Sequence, residues 1–288
     1  MIAPLAPRSR RLALPTGLTY RVLEWGADQL DTIVLVHGFL DLGYGWEEVA
    51  AKLADRYRVI APDLRGHGDS DWIGAGGYYH FFDYVADLDA VIARTARGRL
   101  TMVGHSMGGN VVSYWCGMRA ARVHAAVLVE GLGPPEAHVS LPERTAQWVH
   151  GWAQARLRVP RLMSGPGEAV GRLRANDPHL TDERAHRLVE VGTVAVPGGL
   201  TWKHDPLHLT AGPYLYRRDV AAQFWAKIHA PVLVVDGAES RLRIPDAEAT
   251  ARMASFKDAR RVMVAGAGHA VQRHDPEKLA ALIAAHAG

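Results

Sequence analysis

Short apolar runs rich in valine, isoleucine and leucine alternate along the chain with longer stretches of helical spacing. Such runs are typical of strands that helices cover on both faces, because neither face of the strand meets water. The predicted strands are Ile33–Val36, Val59–Ala61, Leu100–Val103, Ala125–Val129, Val232–Val235 and Arg261–Val264. The predicted helices are Trp46–Ala54, Tyr84–Thr95, Val111–Arg119, Ala247–Ala254 and Pro276–His286. The alternation predicts an α/β fold with a mostly parallel sheet between helices, and Leu18–Glu24 is predicted as an antiparallel strand at its edge.

The interval from Val129 to Val232 breaks this rhythm, since it spans about 100 residues and a crossover needs far fewer. It contains several tryptophans and tyrosines, and prolines interrupt its helical segments. We therefore predict a helical cap, residues 133–216, inserted into a core domain formed by residues 1–132 and 217–288. No glycine- and serine-rich linker detaches the insertion as an independent unit.

Composition narrows the classes of function. The chain has 33 Lys and Arg against 30 Asp and Glu, which leaves a net charge of +3 and not the clustered basic face of a nucleic-acid-binding protein. No apolar stretch is long enough to span a membrane, and the basic N-terminal residues precede no signal-peptide-like segment. We expect a cytoplasmic protein without a nucleic-acid or membrane partner; a homodimer is left open.

Two further features of the composition concern the chemistry. The single cysteine, Cys116, allows no internal disulfide or multi-cysteine metal site, so we expect it only to pack, and we expect no cofactor and no metal. The densest basic stretch is predicted to be a solvated helix face, with anion binding or subunit contact as the alternative. It comprises Arg156, Arg158, Arg161, Arg172 and Arg174.

The strongest chemical signal is Gly104-His105-Ser106-Met107-Gly108, which directly follows a predicted strand and directly precedes a helix. This is the G-x-S-x-G pattern in the strand-turn-helix context that it requires, where glycines allow the sharp turn that exposes the serine. Ser106 is therefore the predicted nucleophile. A serine hydroxyl needs a base to take its proton, and that base needs a third group to orient it.

Among 15 histidines, His269 is the preferred base because it follows the last predicted strand, at the same carboxyl edge of the sheet as Ser106. His274 is a weaker candidate. The amides of Phe39 and Met107 are predicted to stabilise a developing oxyanion, whereas His37 is more readily explained as structural.

Together these motifs resemble the α/β-hydrolase superfamily, because His37-Gly38-Phe39, the segment Asp63 to Ser70, the Ser106 turn and Gly268-His269 follow one another in the family's order. The resemblance implies the hydrolase fold with a cap inserted after the sixth strand. It also implies that Asp63 and Arg65 support the site's architecture. Metal sites from Asp63, His67 and His80, or from His204 and His208, are disfavoured because the serine turn already supplies a metal-free mechanism.

The chain departs from the family at the acid. The usual acid follows the seventh strand, three residues after a glycine, and counting from Gly237 leads to Ser240. Glu130 is the preferred substitute, since some relatives, including one group of haloalkane dehalogenases and certain lipases, carry the acid after the sixth strand. Glu239 and Asp236 remain alternatives.

The serine nucleophile disfavours dehalogenase and epoxide-hydrolase chemistry, for which the family uses aspartate at this position. We predict hydrolysis of a carboxylic ester or related small acyl substrate, an apolar one given the aromatic content of the cap. The candidate pocket residues are His37, Leu40, His105, Trp148 and Trp152. The alternatives are a carbon-carbon hydrolase of aromatic-ring degradation with an acidic vinylogous diketone substrate, and a non-catalytic ligand sensor.

Overall fold

The computed structural model describes residues 6–28, 30–136, 139–155, 157 and 161–288. Arg156 and Arg158 of the basic stretch lie outside the described residues. The strands are β1 (Arg8–Ala13), β2 (Thr19–Trp25), β3 (Thr32–Val36), β4 (Arg58–Pro62), β5 (Leu100–His105), β6 (Ala125–Val129), β7 (Thr193–Val196), β8 (Gly199–Trp202), β9 (Val232–Gly237) and β10 (Ala259–Val264). The helices are α1 (Glu47–Leu53), α2 (Phe81–Thr95), α3 (Met107–Met118), α4 (Leu141–Ala155), α5 (Pro166–Asn176), α6 (Asp182–Gly192), α7 (Arg218–Trp225), α8 (Asp246–Met253), α9 (Val271–His274) and α10 (Pro276–Ala287).

Eight strands form one sheet in the order β1-β2-β4-β3-β5-β6-β9-β10. The pairs β1–β2 and β2–β4 are antiparallel, and the remaining pairs are parallel. This confirms the predicted α/β-hydrolase fold with its mostly parallel sheet. In the parallel part, His105 pairs with Val129, and Val129 pairs with Val235. The residues that follow these three strand ends therefore meet at one edge of the sheet.

Helices cover both faces of the sheet, as the continuous apolar strands require. Val34 and Val36 of β3 face a core that α2, α3, α7 and α8 complete, whereas Ile33 and Leu35 face a second core with α1 and α10. Cys116 lies in the first core, and burial raises the pKa of its thiol far above the ordinary value. Its thiol is buried, in keeping with the expected packing role.

The segment between β6 and α7 leaves the sheet and contains α4, α5, α6 and the antiparallel hairpin β7–β8. A small apolar cluster of its own includes Met163, Leu180 and Val189. The fully buried Arg252 of α8 donates hydrogen bonds to the carbonyl oxygens of Leu132 (2.6 Å) and Pro134 (2.9 Å). These bonds hold the chain where the segment departs from the sheet.

Two elements differ from the sequence prediction. β1 is the edge strand, so the strand predicted at the edge, now β2, is its inner neighbour; β1 carries Arg8, Arg10 and Arg11 and is largely exposed. The hairpin β7–β8 lies in the segment that was predicted to be only helical. Among the described helices, none combines the length and apolar character needed to cross a bilayer.

Candidate active site

Ser106 occupies a sharp turn between β5 and α3. Its backbone has φ 51° and ψ −117°, a conformation that L-residues rarely adopt. The flanking glycines are required by close packing, because a Cβ at Gly104 would lie 2.4 Å from the Gly108 carbonyl oxygen, and a Cβ at Gly108 would lie 2.4 Å from that of Val36. The Ser106 N–H donates to the Val129 carbonyl oxygen over 2.9 Å. The turn is thus fixed against the end of β6.

Glu130 lies at the end of β6, and its carboxylate reaches His269. Its Oε2 is 3.0 Å from His269 Nδ1 and accepts a second hydrogen bond, 2.9 Å long, from Ser240 Oγ. Its Oε1 accepts the Gly237 N–H over 2.8 Å. The Glu130 side chain is only 2% exposed, so three donors replace the water that an ionised carboxylate would otherwise need.

This contact orients the His269 ring and determines which tautomer its neutral form adopts. An ionised carboxylate can only accept hydrogen bonds, so Nδ1 must carry the proton, and Nε2 of the neutral ring keeps its lone pair. His105 holds the loop that carries His269, because its Nε2–H donates to the His269 carbonyl oxygen over 2.9 Å. Since His105 directly precedes Ser106, this bond keeps the histidine loop beside the serine turn.

The other candidate groups have different partners. Asp236 binds Arg261 Nε over 2.7 Å, and burial together with the charge of Glu130 raises its pKa despite that arginine. The Glu239 carboxylate is 56% exposed and lies 3.7 Å from His179 Nε2. His274 accepts the Gly268 N–H over 3.0 Å and contacts Asp177 over 2.8 Å. Within the described residues, Glu130 is therefore the carboxylate that contacts His269.

The loop after β3 carries the Phe39 amide next to the serine. A Cβ at Gly38 would lie 3.3 Å from Ser106 Cβ, so the loop backbone approaches the turn closely. The next residue, Leu40, has φ 58°, and its N–H donates to His67 Nε2 over 3.2 Å. In the described part of the chain, neither the Phe39 N–H nor the Met107 N–H has an internal acceptor, since Met107 opens α3. Both are free to donate to a ligand.

Backbone strain concentrates at these loops. The non-glycine residues with positive φ among those described are Leu40, Ser106 and Glu130, with φ of 58°, 51° and 49°. Each such residue costs about 1–3 kcal/mol and persists where its surroundings enforce it. They converge at the carboxyl edge of β3, β5 and β6, which is the edge that carries the candidate site.

Two residues expected to line the pocket have another role. His37 is fully buried; its Nδ1–H donates to the Gly38 carbonyl oxygen over 2.8 Å, and its Nε2 accepts the Leu64 N–H over 2.9 Å. His105 is also buried, and burial lowers its pKa well below the ordinary value, so it stays neutral. Both side chains support loops through their ring nitrogens, because buried polar rings must satisfy their hydrogen bonds internally.

Trp148 and Trp152 of α4 stack with ring centroids 5.2 Å apart, and the Tyr78 ring meets Trp148 edge-on at 5.6 Å. Tyr78 is anchored in turn by a 3.0 Å hydrogen bond from its hydroxyl to the Thr210 carbonyl oxygen. A separate cavity of about 370 Å³ includes Leu40 in its lining but neither tryptophan. The two tryptophans thus attach α4 to the core through Tyr78.

Sequence reasoning did not anticipate the parts played by Ser240 and His67. Ser240 occupies the family's usual acid position, and here its hydroxyl binds Glu130. His67 Nδ1–H donates to the Arg65 carbonyl oxygen over 2.9 Å, and burial lowers the pKa of the ring far enough that Nε2 remains an acceptor. Hydrogen bonds between residues this far apart in the chain, such as Ser240 with Glu130 and His67 with Leu40, leave no spacing signal in a sequence.

The fold, the serine turn and the strand order define a class that comparison with known proteins bears out. A family model for the alpha/beta hydrolase fold matches residues 31–164. The 3-hydroxybutyrate-oligomer hydrolase of Cupriavidus necator is 30% identical over 271 residues, which cover 89% of this chain and 89% of that protein. The chain belongs to the α/β-hydrolase family.

Two further similarities extend along nearly the whole chain. A serine hydrolase-like protein of Danio rerio is 26% identical over 283 residues, or 95% of this chain and 86% of that protein. The solved thioesterase domain from the curacin biosynthetic pathway superposes with a TM-score of 0.87 at 27% identity, covering 98% of this chain and all of that domain. Both similarities include the segment inserted between β6 and α7.

Proposed function

We propose that the protein hydrolyses carboxylic esters or closely related acyl substrates through an acyl-enzyme at Ser106. The observation that carries this proposal is the contact between Glu130 Oε2 and His269 Nδ1, because it orients the imidazole in the loop that His105 holds beside the serine turn. A serine, a histidine and a buried carboxylate at one edge of the sheet are the parts that acyl transfer requires.

In the proposed mechanism, His269 Nε2 takes the Ser106 hydroxyl proton as Oγ bonds to the acyl carbon. The amides of Phe39 and Met107 donate to the oxyanion that develops. The C–O bond to the alcohol then breaks, and the leaving oxygen receives the proton from His269. Water attacks the acyl-enzyme with His269 again as base, which releases the acid and restores Ser106.

Glu130 stabilises the imidazolium that forms in each half of the reaction. The Gly237 N–H and the Ser240 hydroxyl hold its carboxylate in place. The Glu130 side chain is almost completely buried. Its negative charge therefore interacts with the imidazolium more strongly than it would in solvent.

The segment between β6 and α7, proposed here as the cap, would cover the serine turn and select the acyl group. Its boundaries remain those expected from the sequence, residues 133–216. Support for acyl substrates comes from relatives: one is named as a 3-hydroxybutyrate-oligomer hydrolase, and a structural neighbour is a thioesterase domain.

The proposal is tested with a series of 4-nitrophenyl esters and an acyl thioester, using the wild type and Ser106→Ala. We expect the wild type to turn over both ester and thioester and the variant to lose at least about 10³-fold in kcat. Equal rates in the two proteins would overturn it. Turnover of a vinylogous diketone acid well above that of the esters would favour the carbon-carbon hydrolase instead.

A further inference from the structure

A cavity of about 370 Å³ lies between the loop after β3 and the inserted segment. Its lining combines apolar side chains with three cations. The lining residues used here are Leu40, Asp41, Arg172, Leu173, Lys203 and Arg273. Three cations and one carboxylate thus line the cavity together with leucines.

The three cations differ in how deeply their carboxylate partners are buried. Arg273 binds the nearly buried Asp41 of the same cavity. By contrast, Arg172 binds Glu168 over 2.6 Å and Lys203 binds Asp69 over 2.9 Å, and these two carboxylates are 36% and 38% exposed. Glu168 and Asp69 do not line the cavity, and because solvent reaches both carboxylates, these pairs contribute less than fully buried pairs do. Arg172 and Lys203 can therefore turn to an anion that enters.

The cavity adjoins the candidate active site on two sides. Leu40 follows Phe39, whose amide is proposed to bind the oxyanion, and Leu40 is held by His67. Arg273 lies in α9, four residues after His269 in the sequence. Asp177, which follows α5, contacts His274 of α9 over 2.8 Å. The lining thus includes the residue that follows the proposed oxyanion amide and a residue close in sequence to His269.

We propose that the cavity binds a carboxylate at the far end of the acyl chain, so that the preferred substrates are acidic half-esters of short dicarboxylic acids. This inference rests on the proposed function and specifies its substrate class. The leucines would contact the methylene groups, and Arg172 and Lys203 would bind the terminal carboxylate. Hydrolysis by water would release the alcohol and the free dicarboxylate.

The kinetic test uses the mono-4-nitrophenyl esters of succinate, glutarate and adipate, which keep one free carboxylate. Each is compared with its methyl diester, in which the free carboxylate is methylated, so that the nitrophenyl leaving group stays and the charge is removed. We expect kcat/KM of the best half-ester to exceed that of its methyl diester at least about tenfold, mainly through KM. Arg172→Met and Lys203→Met should each reduce this ratio about fivefold or more. Arg174→Met is the matched control, since Arg174 lies on the same helix, pairs with Asp182 and does not line the cavity.

A binding measurement separates this inference from the proposed function. Glutarate is titrated into the Ser106→Ala protein by calorimetry, with dimethyl glutarate as the uncharged reference. We expect glutarate to bind at least about tenfold more tightly than the diester, more weakly as salt is added, and about tenfold more weakly in Arg172→Met. Absence of glutarate binding, or a methyl diester preferred over the half-ester, would overturn the inference. Hydrolysis of neither ester by the wild type would overturn the proposed function, while the titration would still decide the cavity's ligand.

Discussion

Replacing Glu130 by glutamine removes the proposed acid while changing the side chain's shape very little. The structure determines which way the new amide would face. The Gly237 N–H points at Oε1, so that position must remain an oxygen, and the NH₂ group must take the Oε2 position. There it faces His269 Nδ1 and the Ser240 hydroxyl. The hydroxyl can rotate to accept, and Nδ1 can accept only in its unprotonated form.

The variant would therefore favour the wrong tautomer of His269, with the proton on Nε2, where it cannot take a proton from Ser106. It would also lose the negative charge that stabilises the imidazolium. A loss of about 10³–10⁴ in kcat follows, equivalent to about 4–5.5 kcal/mol of transition-state stabilisation. Because the bonds to Gly237 and Ser240 survive, the free energy of unfolding should change by less than about 1 kcal/mol.

The assay measures kcat for a 4-nitrophenyl ester together with thermal unfolding of each protein. Glu239→Gln is the matched control, since the Glu239 carboxylate is half exposed and faces His179. We expect the control to stay within about twofold of the wild type in kcat. A Glu130→Gln protein within about tenfold of the wild type, or a large loss in the Glu239 variant, would refute the reasoning.

Three further predictions test the support of the site. Ser240→Ala should lower kcat about three- to tenfold with little change in KM, because Glu130 loses one of its three donors; an unchanged kcat would contradict this role. Gly108→Ala should lower the free energy of unfolding, measured by denaturant titration, by at least about 2 kcal/mol, because the new Cβ would lie 2.4 Å from the Val36 carbonyl oxygen. The control Gly167→Ala should change the free energy of unfolding little, since no atom lies within 4 Å of its Cβ position. Burial lowers the pKa of His67 and of His105, so the unfolded chain binds protons that the folded one does not, and stability is lost as the pH falls below the unfolded value near 6.5. Between pH 7.5 and pH 5.5 these two rings should together lower the free energy of unfolding by about 3 kcal/mol. The free energy of unfolding of His67→Gln should depend less steeply on pH than that of the wild type, and equal slopes would be inconsistent with a neutral buried ring.

The central strands and their covering helices could be predicted because apolar side chains fill both faces of each strand. β1 could not be predicted in this way: its sequence, RSRRLA, faces solvent, and an exposed edge strand needs no apolar pattern. The hairpin β7–β8 was missed for a related reason. Its residues are only partly buried, and its turn depends on Gly198 at φ 91°.

At the candidate site, sequence motifs predicted Ser106 and His269 but left the acid open. Counting residues from Gly237 leads to Ser240, whereas the structure's answer depends on sheet register and on the positive φ of Glu130, which turns its carboxylate towards His269. The register pairs Val129 with Val235 and so brings Glu130 beside the Gly237 amide. Neither quantity can be read from a single sequence, because both arise from the packing of distant strands.

The most direct test of the account is the reaction with a fluorophosphonate, followed by mass spectrometry of the digested protein. The account predicts one adduct, on the peptide that contains Ser106, absent from Ser106→Ala and formed at least about 10²-fold more slowly in Glu130→Gln. A folded wild-type protein that stays unlabelled would instead indicate a ligand sensor. An adduct on another residue, or one that forms equally fast in Glu130→Gln, would contradict the proposed catalytic arrangement.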